Sequence, residues 1–264
     1  MQVEETRDRD ELEALLREDA ELHLYELGDL DPWFWPRTRW FLGRDEGGVA
    51  RAVAMVYAGH GHSALLALGR EGDPWPAALL EAARERLPAS CYAHLQPGLA
   101  ARLAAGGWRV EPRGEHLKQV LRDPGLVAGE PARGAASLGP ADLPALLDFY
   151  ARAYPDNWFD PRMLETGHYV GVREGGTLVA AAGVHVFAPE VGVAALGNIT
   201  TDPARRGQGL ARAVTAAVCR GLLASGVTTI GLNVKADNAA AIACYERLGF
   251  VLAAPYLEAQ LERS

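Results

Sequence analysis

The chain has 264 residues, of which 49% are hydrophobic and 23% are charged. This composition excludes an intrinsically disordered protein, and the length accommodates one large domain or two ordinary ones. The net charge of −8 argues against a nucleic-acid partner and agrees better with a cationic acceptor.

Targeting signals and cysteines predict the compartment. No apolar run reaches the roughly 18 residues that a membrane helix needs. Residues 1–13 are charged and lack the apolar core of a signal peptide. The three cysteines have no metal-ligand spacing, and an odd number without an export signal is typical of reduced thiols. We therefore expect a cytoplasmic protein that has no membrane association and binds no metal.

The first half of the chain alternates helical and strand patterns. An amphipathic period predicts a helix over residues 7–20, and apolar runs predict strands over 49–57 and 63–68. The same criteria predict helices over 76–86 and 98–105 and strands over 91–95 and 116–121. The aromatic run Trp33–Pro36, together with Trp40, is interpreted as a packed loop.

A stretch rich in Gly, Ala and Pro, residues 125–139, has no apolar period and is interpreted as a linker. It divides the chain into a domain over 1–125, a linker over 126–139 and a domain over 140–264. The predicted elements of the second half are helices at 143–154, 160–165, 207–224 and 238–248, and strands at 169–173, 178–187, 193–200, 227–234 and 256–261.

The two halves share a pattern that indicates a distant internal repeat. A helix followed by glycine and an aromatic residue ends at Trp108 in the first half and at Phe250 in the second, and an alternating strand follows each. The first copy has Leu103 where the second has Tyr245. It also lacks the glycine-rich turn of the second copy, so we expect it to be degenerate.

That turn runs from Arg206 to Ala211 and opens a long helix directly after an apolar strand. Two glycines, at 207 and 209, allow a ligand to approach the backbone closely. Free N–H groups and the positive end of the helix dipole together form an anion site, and Arg206 adds a fixed cation. The turn therefore predicts a pyrophosphate ligand.

The Arg-x-x-Gly-x-Ala pattern of this turn resembles the acetyl-CoA signature of the GNAT (N-acetyltransferase) superfamily. Residues 232–250 resemble the second block of that family, a strand, an Asn and a helix that carries Tyr245 before a Gly-Phe pair. The resemblance covers roughly residues 133–264. It implies an α/β (α+β) fold of two tandem GNAT-like domains, each a mixed, mostly antiparallel twisted sheet flanked by helices.

The resemblance also implies positions for the donor, acetyl-CoA. The strand at 193–200 would separate from the strand at 227–234 and hold the pantetheine arm between them. The implied pantetheine contacts are Ile199, Thr200, Thr201, Asn233, Asn238 and Tyr245. The implied pyrophosphate contacts are Arg206, Gly207, Gln208, Gly209, Leu210 and Ala211. Asn238 is also a typical helix cap, and one residue can serve both purposes.

Transfer of an acetyl group from acetyl-CoA to an amine requires a proton donor for the leaving thiolate and a proton acceptor for the amine. Tyr245 is the predicted donor, because a phenol holds its proton more firmly than a thiol and can share it with a thiolate. Glu190 is the predicted base, with His185, Asn198 or a water relay as alternatives. Cys244 leaves open a covalent route, although neighbouring helix positions point about 100° apart.

We expect an acetyl-CoA-dependent N-acetyltransferase that acts on a primary amine, of a small molecule or an amino acid, by direct attack in a ternary complex. The tandem arrangement and the strand over 197–200 resemble glycine-acyltransferase-like members. The predicted acceptor region holds aromatic and polar residues that follow one another closely: Tyr150, Tyr154, Asp156, Asn157, Trp158 and Phe159. One alternative is a non-catalytic acyl-CoA-binding or regulatory module. Others are enzymes that transfer a longer acyl group or use a hydroxyl acceptor. The protein is expected to be a monomer or a homodimer.

Overall fold

A computed structural model describes residues 1–59 and 62–263. The chain divides into two compact units that interleave along the sequence. The first unit comprises Met1–Lys118, Val234–Asp237 and Leu252–Ser264, and the second comprises Gln119–Asn233 and Asn238–Val251. The C-terminal residues thus belong to the unit that begins with the N-terminus.

The first unit is an α/β structure. Its helices are α1 (Arg9–Arg17), α2 (Leu24–Gly28), α3 (Trp75–Ala83) and α4 (Leu99–Ala105). Its strands are β1 (Gln2–Thr6), β2 (Thr38–Arg44), β3 (Ala50–Gly59), β4 (His62–Ala67) and β5 (Ser90–Leu95). The strand β6 (Trp108–Leu121) runs from this unit into the second.

The sheet of this unit has the order β1-β2-β3-β4-β5-β12, where β12 is the C-terminal strand Phe250–Arg263. Its ladders are antiparallel except for the parallel pair β4 and β5. Residues Leu257–Glu262 of β12 pair with β5. Asp8 caps helix α1, because its side chain accepts from the Glu11 N–H, and the helix buries Leu12 and Leu16.

The second unit contains α5 (Pro124–Gly129), α6 (Leu143–Ala153), α7 (Leu210–Ala224) and α8 (Ala239–Glu246). Its sheet has the order β11-β10-β9-β8-β7. These strands are β7 (Ala136–Leu138), β8 (Tyr169–Glu174), β9 (Thr177–Ala188), β10 (Val193–Thr201) and β11 (Thr229–Lys235). Only β10 and β11 pair in parallel; the other ladders of this sheet are antiparallel. The mixed α/β class predicted from the sequence is confirmed.

The segment predicted as a linker, residues 126–139, contains most of α5 and all of β7, which pairs with β8. Arg220 of α7 donates to the Val127 and Glu130 carbonyls, and Arg212 pairs with the Glu130 carboxylate at 2.6 Å. The segment has no apolar period because charged hydrogen bonds to α7, rather than an apolar face, hold much of it in place.

Several elements had no prediction. They are β1, β2, α2, α5, β7, the first half of β6 and the first residues of β12. Trp40, predicted in a loop, is fully buried on β2. Its ring stacks on Trp35, and Phe34 is buried, whereas Trp33 is exposed, so the aromatic run is packed only in part.

A group of ionisable side chains lies inside the first unit. The Glu258 carboxylate accepts from the hydroxyls of Tyr92 and Tyr256 and lies 3.5 Å from Nε2 of His94 and 3.4 Å from that of His116. Burial lowers the pKa of His94 to about 4, and Lys118 and His116 add to this effect, while Glu258 and Glu26 oppose it. His94 is therefore neutral in the folded protein at pH 7.

The neutral His94 makes the stability of the protein dependent on pH. The unfolded chain binds a proton at His94 below about pH 6.5, whereas the folded chain does so only near pH 4. The free energy of unfolding should therefore fall by about 2 kcal/mol between pH 7.5 and 5 through this residue. Urea titrations of wild type and His94→Gln at both pH values measure the difference. Equal pH dependence in the two proteins would contradict this assignment.

Candidate functional site

The strands β10 and β11 of the second unit part from each other halfway along their length. They pair over four residues each, from Val193 with Thr229 to Leu196 with Leu232. Both strands continue beyond this point, β10 to Thr201 and β11 to Lys235. The residues of β10 beyond Leu196, and Asn233 of β11, therefore have backbone groups that this ladder does not satisfy.

A bulge in β10 begins where the strands part. The register with β9 shifts between Gly197 and Thr200, and Asn198 adopts a left-handed conformation with φ 53°. The hydroxyl of Tyr150 donates to the Asn198 carbonyl at 3.0 Å. The Asn198 amide Nδ2 donates to the hydroxyl of Tyr169 at 3.0 Å. These side chains hold the strand in a conformation that a regular ladder would not allow.

The turn after β10 has the features of an anion site. Gly207 and Gly209 have φ values of 78° and 77°, which residues with a side chain rarely adopt. Gly209 caps α7 without a side chain, and the first turn of α7 has no acidic residue. The N–H groups of Leu210 and Ala211 therefore have no capping acceptor, and the helix dipole adds to their attraction for an anion.

Two neighbouring arginines of this turn, Arg205 and Arg206, differ in whether they form an ion pair. Arg205 pairs with Glu174 at 2.7 Å. Arg206 is exposed, and no residue within 1–59 or 62–263 makes a hydrogen bond or ion pair with it. Gln208 is also exposed. Arg206 is thus the cation of this turn that is available to a ligand.

Arg133 is a second cation at this turn, and sequence reasoning missed it. A Cβ atom on Gly209 would lie 3.3 Å from Nε of Arg133. Arg133 itself has φ 47° and follows the segment that Arg212 and Arg220 fasten to α7. Nothing in the local pattern of residues 131–134 indicates this proximity, because it depends on the packing of α5.

Beyond the bulge at Asn198, one buried oxygen on each strand lacks a hydrogen-bond partner among the described residues. They are Oγ1 of Thr201 on β10 and Oδ1 of Asn233 on β11. Ile199 and Thr200, between the bulge and Thr201, are half-buried. An unsatisfied buried oxygen is costly in a folded protein, so both are suited to a ligand that carries amide N–H groups.

Asn238 and Tyr245 lie on the next helix. The side chain of Asn238 accepts from the Ala241 N–H at 3.2 Å, so the cap predicted for this residue is present. Tyr245 is buried, and burial raises the pKa of its hydroxyl, with smaller contributions from Cys244 and Tyr154. The phenol therefore stays protonated and is a hydrogen-bond donor throughout the physiological pH range.

The predicted proton acceptors lie at different places. Glu190 is exposed in the turn between β9 and β10. From Val193 to Asn198 the strand advances by roughly 16 Å, so Glu190 and the bulge lie near opposite ends of the paired segment. The structure does not bring Glu190 together with the other predicted site residues. His185, on β9, lies beside the bulge instead, because its ring occupies the position of a Cβ on Gly197.

The predicted acceptor region is partly core and partly surface. The ring of Phe159 packs between the rings of Tyr150 and Tyr169, with centroids 5.4 and 5.6 Å away. Tyr154 and Trp158 are exposed by 38% and 57%. Asp156 is exposed, and Asn157 orders the loop by donating to the Tyr154 carbonyl. The loop thus presents aromatic surface on a base that is fixed by packing.

In the described part of the first unit, β4 and β5 do not part in this way. Its parallel ladder continues to the last residues of β4 and β5, Ala67 and Leu95. Beyond it, the Gln96 N–H donates to the Ala67 carbonyl at 3.4 Å. The Gln96 side chain donates to the Asp73 carbonyl at 2.7 Å and holds the following loop. Of the two units, the second is therefore the one with an open parallel pair.

Comparisons with known proteins agree with this geometry. Residues 140–250 match the Acetyltransferase (GNAT) family. A [ribosomal protein bS18]-alanine N-acetyltransferase of Escherichia coli (strain K12) is 37% identical over 119 residues, which are 44% of this chain and 78% of the relative. A mycothiol acetyltransferase of Mycobacteroides abscessus is 33% identical over 103 residues, 39% of this chain and 34% of the relative.

Among solved structures, a tandem GNAT protein from the clavulanic acid biosynthesis pathway aligns with 98% of this chain and 98% of its own. The TM-score is 0.57 and the identity 18%, so this likeness concerns the fold alone. No helix within residues 1–59 and 62–263 is both long and apolar enough to cross a membrane.

A mixed sheet whose parallel pair leads into a glycine-rich helix start agrees with the acetyltransferase match over residues 140–250. The chain belongs to the GNAT family of acetyltransferases.

The anion site can be tested with two neighbouring arginines. Arg206→Ala should raise the Kd for acetyl-CoA about tenfold, because a charged contact to phosphate is lost. Arg205→Ala is the matched control and should change Kd by less than about twofold, because an exposed ion pair with Glu174 is lost instead. Isothermal titration calorimetry measures both. Equal effects in the two variants would contradict the assignment of Arg206.

Proposed function

We propose that this protein is an acetyl-CoA-dependent N-acetyltransferase that acts on a primary amine by direct attack in a ternary complex. The observation that carries the proposal is the parting of β10 from β11 beside a helix start that has no acidic residue. A long ligand with amide groups at one end and phosphates at the other has complementary partners along this path.

In this proposal, the backbone of Ile199, Thr200 and Thr201 pairs with the pantetheine arm, and Asn233 accepts a hydrogen bond from it. The pyrophosphate lies on the turn formed by Arg206, Gly207, Gln208, Gly209, Leu210 and Ala211. Arg133 adds a second charge from the side of α5. Bound in this way, acetyl-CoA supplies an acyl group next to the bulge at Asn198.

Tyr245 acts on the leaving sulfur. Its hydroxyl keeps its proton because burial raises its pKa. The phenol thus stabilises a departing thiolate as a hydrogen-bond donor, without losing its proton completely. Asn238 caps α8, the helix that carries Tyr245, and thereby contributes to the position of this hydroxyl.

The proposed class of acetyl acceptor is based on the exposed aromatic rings near the site and on the names of two relatives. One relative is named for the alanine of a ribosomal protein and another for mycothiol. The exposed rings of Tyr154 and Trp158 offer apolar and cation–π contacts to an acceptor. We therefore propose a primary amine on a small molecule or an amino acid, with a longer acyl group or a hydroxyl acceptor as alternatives.

The first unit is proposed to be a degenerate copy of the second. Helix α3 follows β4 in the first unit as α7 follows β10 in the second, and both units contain one parallel pair. The tandem GNAT protein with the same overall fold supports this reading. The closed ladder between β4 and β5 leaves the first unit without room for a pantetheine arm.

A covalent route through Cys244 is less consistent with the site. Burial raises the pKa of this thiol, and Glu130 adds to the effect, while Arg212 and Arg247 oppose it. A protonated thiol is a weak nucleophile, so direct attack by the amine remains the proposed route.

The proposal is tested by titration with acetyl-CoA and by thiol release with alaninamide, glycine and spermidine as amines. We expect saturable binding and turnover with at least one amine. Binding without turnover would favour the non-catalytic acyl-CoA-binding module, and absence of binding would contradict the proposal.

Tyr245→Phe should lower kcat about 100-fold and leave the Kd for acetyl-CoA within about twofold. The reason is that the variant loses only the hydroxyl that stabilises the leaving sulfur. Phe250→Leu is a matched control, because Phe250 packs against the Tyr245 ring, with centroids 6.1 Å apart, and carries no hydroxyl. A kcat of Tyr245→Phe close to that of wild type would place the stabilising group elsewhere.

A further inference from the structure

His185 occupies an unusual place in the second unit. Its imidazole ring lies flat on the backbone of Gly197, where the Cβ of any other residue would overlap Cγ, Cδ2 and Nε2 of the ring. Gly197 directly follows Leu196, the last residue of β10 that pairs with β11. The imidazole therefore lies against β10 at the point where the strand parts from its neighbour.

The surroundings of His185 leave one ring nitrogen without a partner. Nε2 is shielded from solvent and makes no hydrogen bond within residues 1–59 and 62–263. The Asn198 side chain is a hydrogen-bonding neighbour of the His185 ring and favours its charged form. A buried ring nitrogen without a partner is costly unless the site uses it.

The polar and charged groups around the Asn198 bulge come from several elements. Tyr150 of α6 donates to the Asn198 carbonyl, and Tyr169 of β8 accepts from the Asn198 amide. Met163 lies 3.4 Å from the Tyr169 hydroxyl. Asp160, near Tyr169, forms a salt bridge with Arg162. The charged groups of this set are thus paired with each other, and the imidazole is the group left to exchange a proton near pH 7.

We propose that His185 is the general base of the reaction and that it takes the proton of the acceptor amine through one bridging water. This inference rests on the proposed acetyltransferase function. The amine nitrogen forms a bond to the acyl carbon, and the carbon–sulfur bond breaks. The electron pair of that bond leaves with the sulfur, which accepts a hydrogen bond from Tyr245. The proton of the amine passes to Nε2 of His185 and later returns to the thiolate or to solvent.

His185 is better placed than Glu190 to act as the general base, and its ring is in the protonation state that a base needs. Burial lowers the pKa of His185, and Asn198 opposes this shift, so the ring is neutral and able to accept a proton at pH 7. Glu190 is exposed beyond the far end of the paired segment of β10. A base must lie within hydrogen-bond reach of its proton, directly or through one water.

The test compares His185→Gln with Glu190→Gln in the thiol-release assay, using the amine among alaninamide, glycine and spermidine that wild type turns over. His168→Gln is the matched control, because His168 stacks on Phe187, adjoins Gly221 of α7 and contacts none of the proposed machinery. We expect His185→Gln to lower kcat about 100-fold. The Kd for acetyl-CoA and the activities of the other two variants should stay within about twofold.

The pH profile provides a second readout, which a merely structural role of His185 would not change. In wild type, kcat/KM should fall towards acid pH with an inflection below the ordinary histidine value of about 6.5, and His185→Gln should lack this inflection. A kcat of His185→Gln within tenfold of wild type, a larger loss in Glu190→Gln, or a wild-type profile without this inflection would overturn the proposal. Absence of turnover by wild type with every amine would overturn the acetyltransferase function as well.

Discussion

The parting of two parallel strands is the constraint on which the rest of the second unit depends. Backbone groups on a strand edge need hydrogen-bond partners, and β10 and β11 provide them for each other over only four residues each. Residues 197–201 of β10 therefore have an edge that this ladder leaves unpaired, which we call the cleft side of β10. A ligand that pairs like a strand suits such an edge, and the start of α7 follows it in the chain.

The end of β10 stays unpaired with β11 because neighbouring side chains hold it in a bulge. The bulge at Asn198 is held on one side by the Tyr150 hydroxyl and on the other by Tyr169. Gly183 and Gly197 face each other across β9 and β10 and leave room for the rings of Tyr169 and His185 to lie directly on the sheet. At these two positions glycine is needed because it has no side chain, whereas at 207 and 209 it is needed for its positive φ.

The sequence predicted the elements of the second unit well because each follows a local rule. The amphipathic period of α7 and the apolar runs of β9 and β10 are visible without tertiary information. Elements such as β1 and the start of β6 were missed because their residues are mostly exposed and give no alternating pattern. The cofactor turn was visible as a motif, whereas Arg133 reaches it only through the packing of α5. His185 was considered from sequence alone, but its contact with Gly197 depends on the register of β9 with β10.

The pairing of β5 with β12 has a consequence for how the chain is made. Tyr92 and Glu258, which meet in the first unit, are 166 residues apart in the sequence. The ribosome therefore releases the entire second unit before the first can complete its sheet. Until then, β5 has an open edge, and Glu258 is absent from the buried group that includes His94 and His116. The half of the protein that is synthesised first is therefore the half whose sheet is completed last.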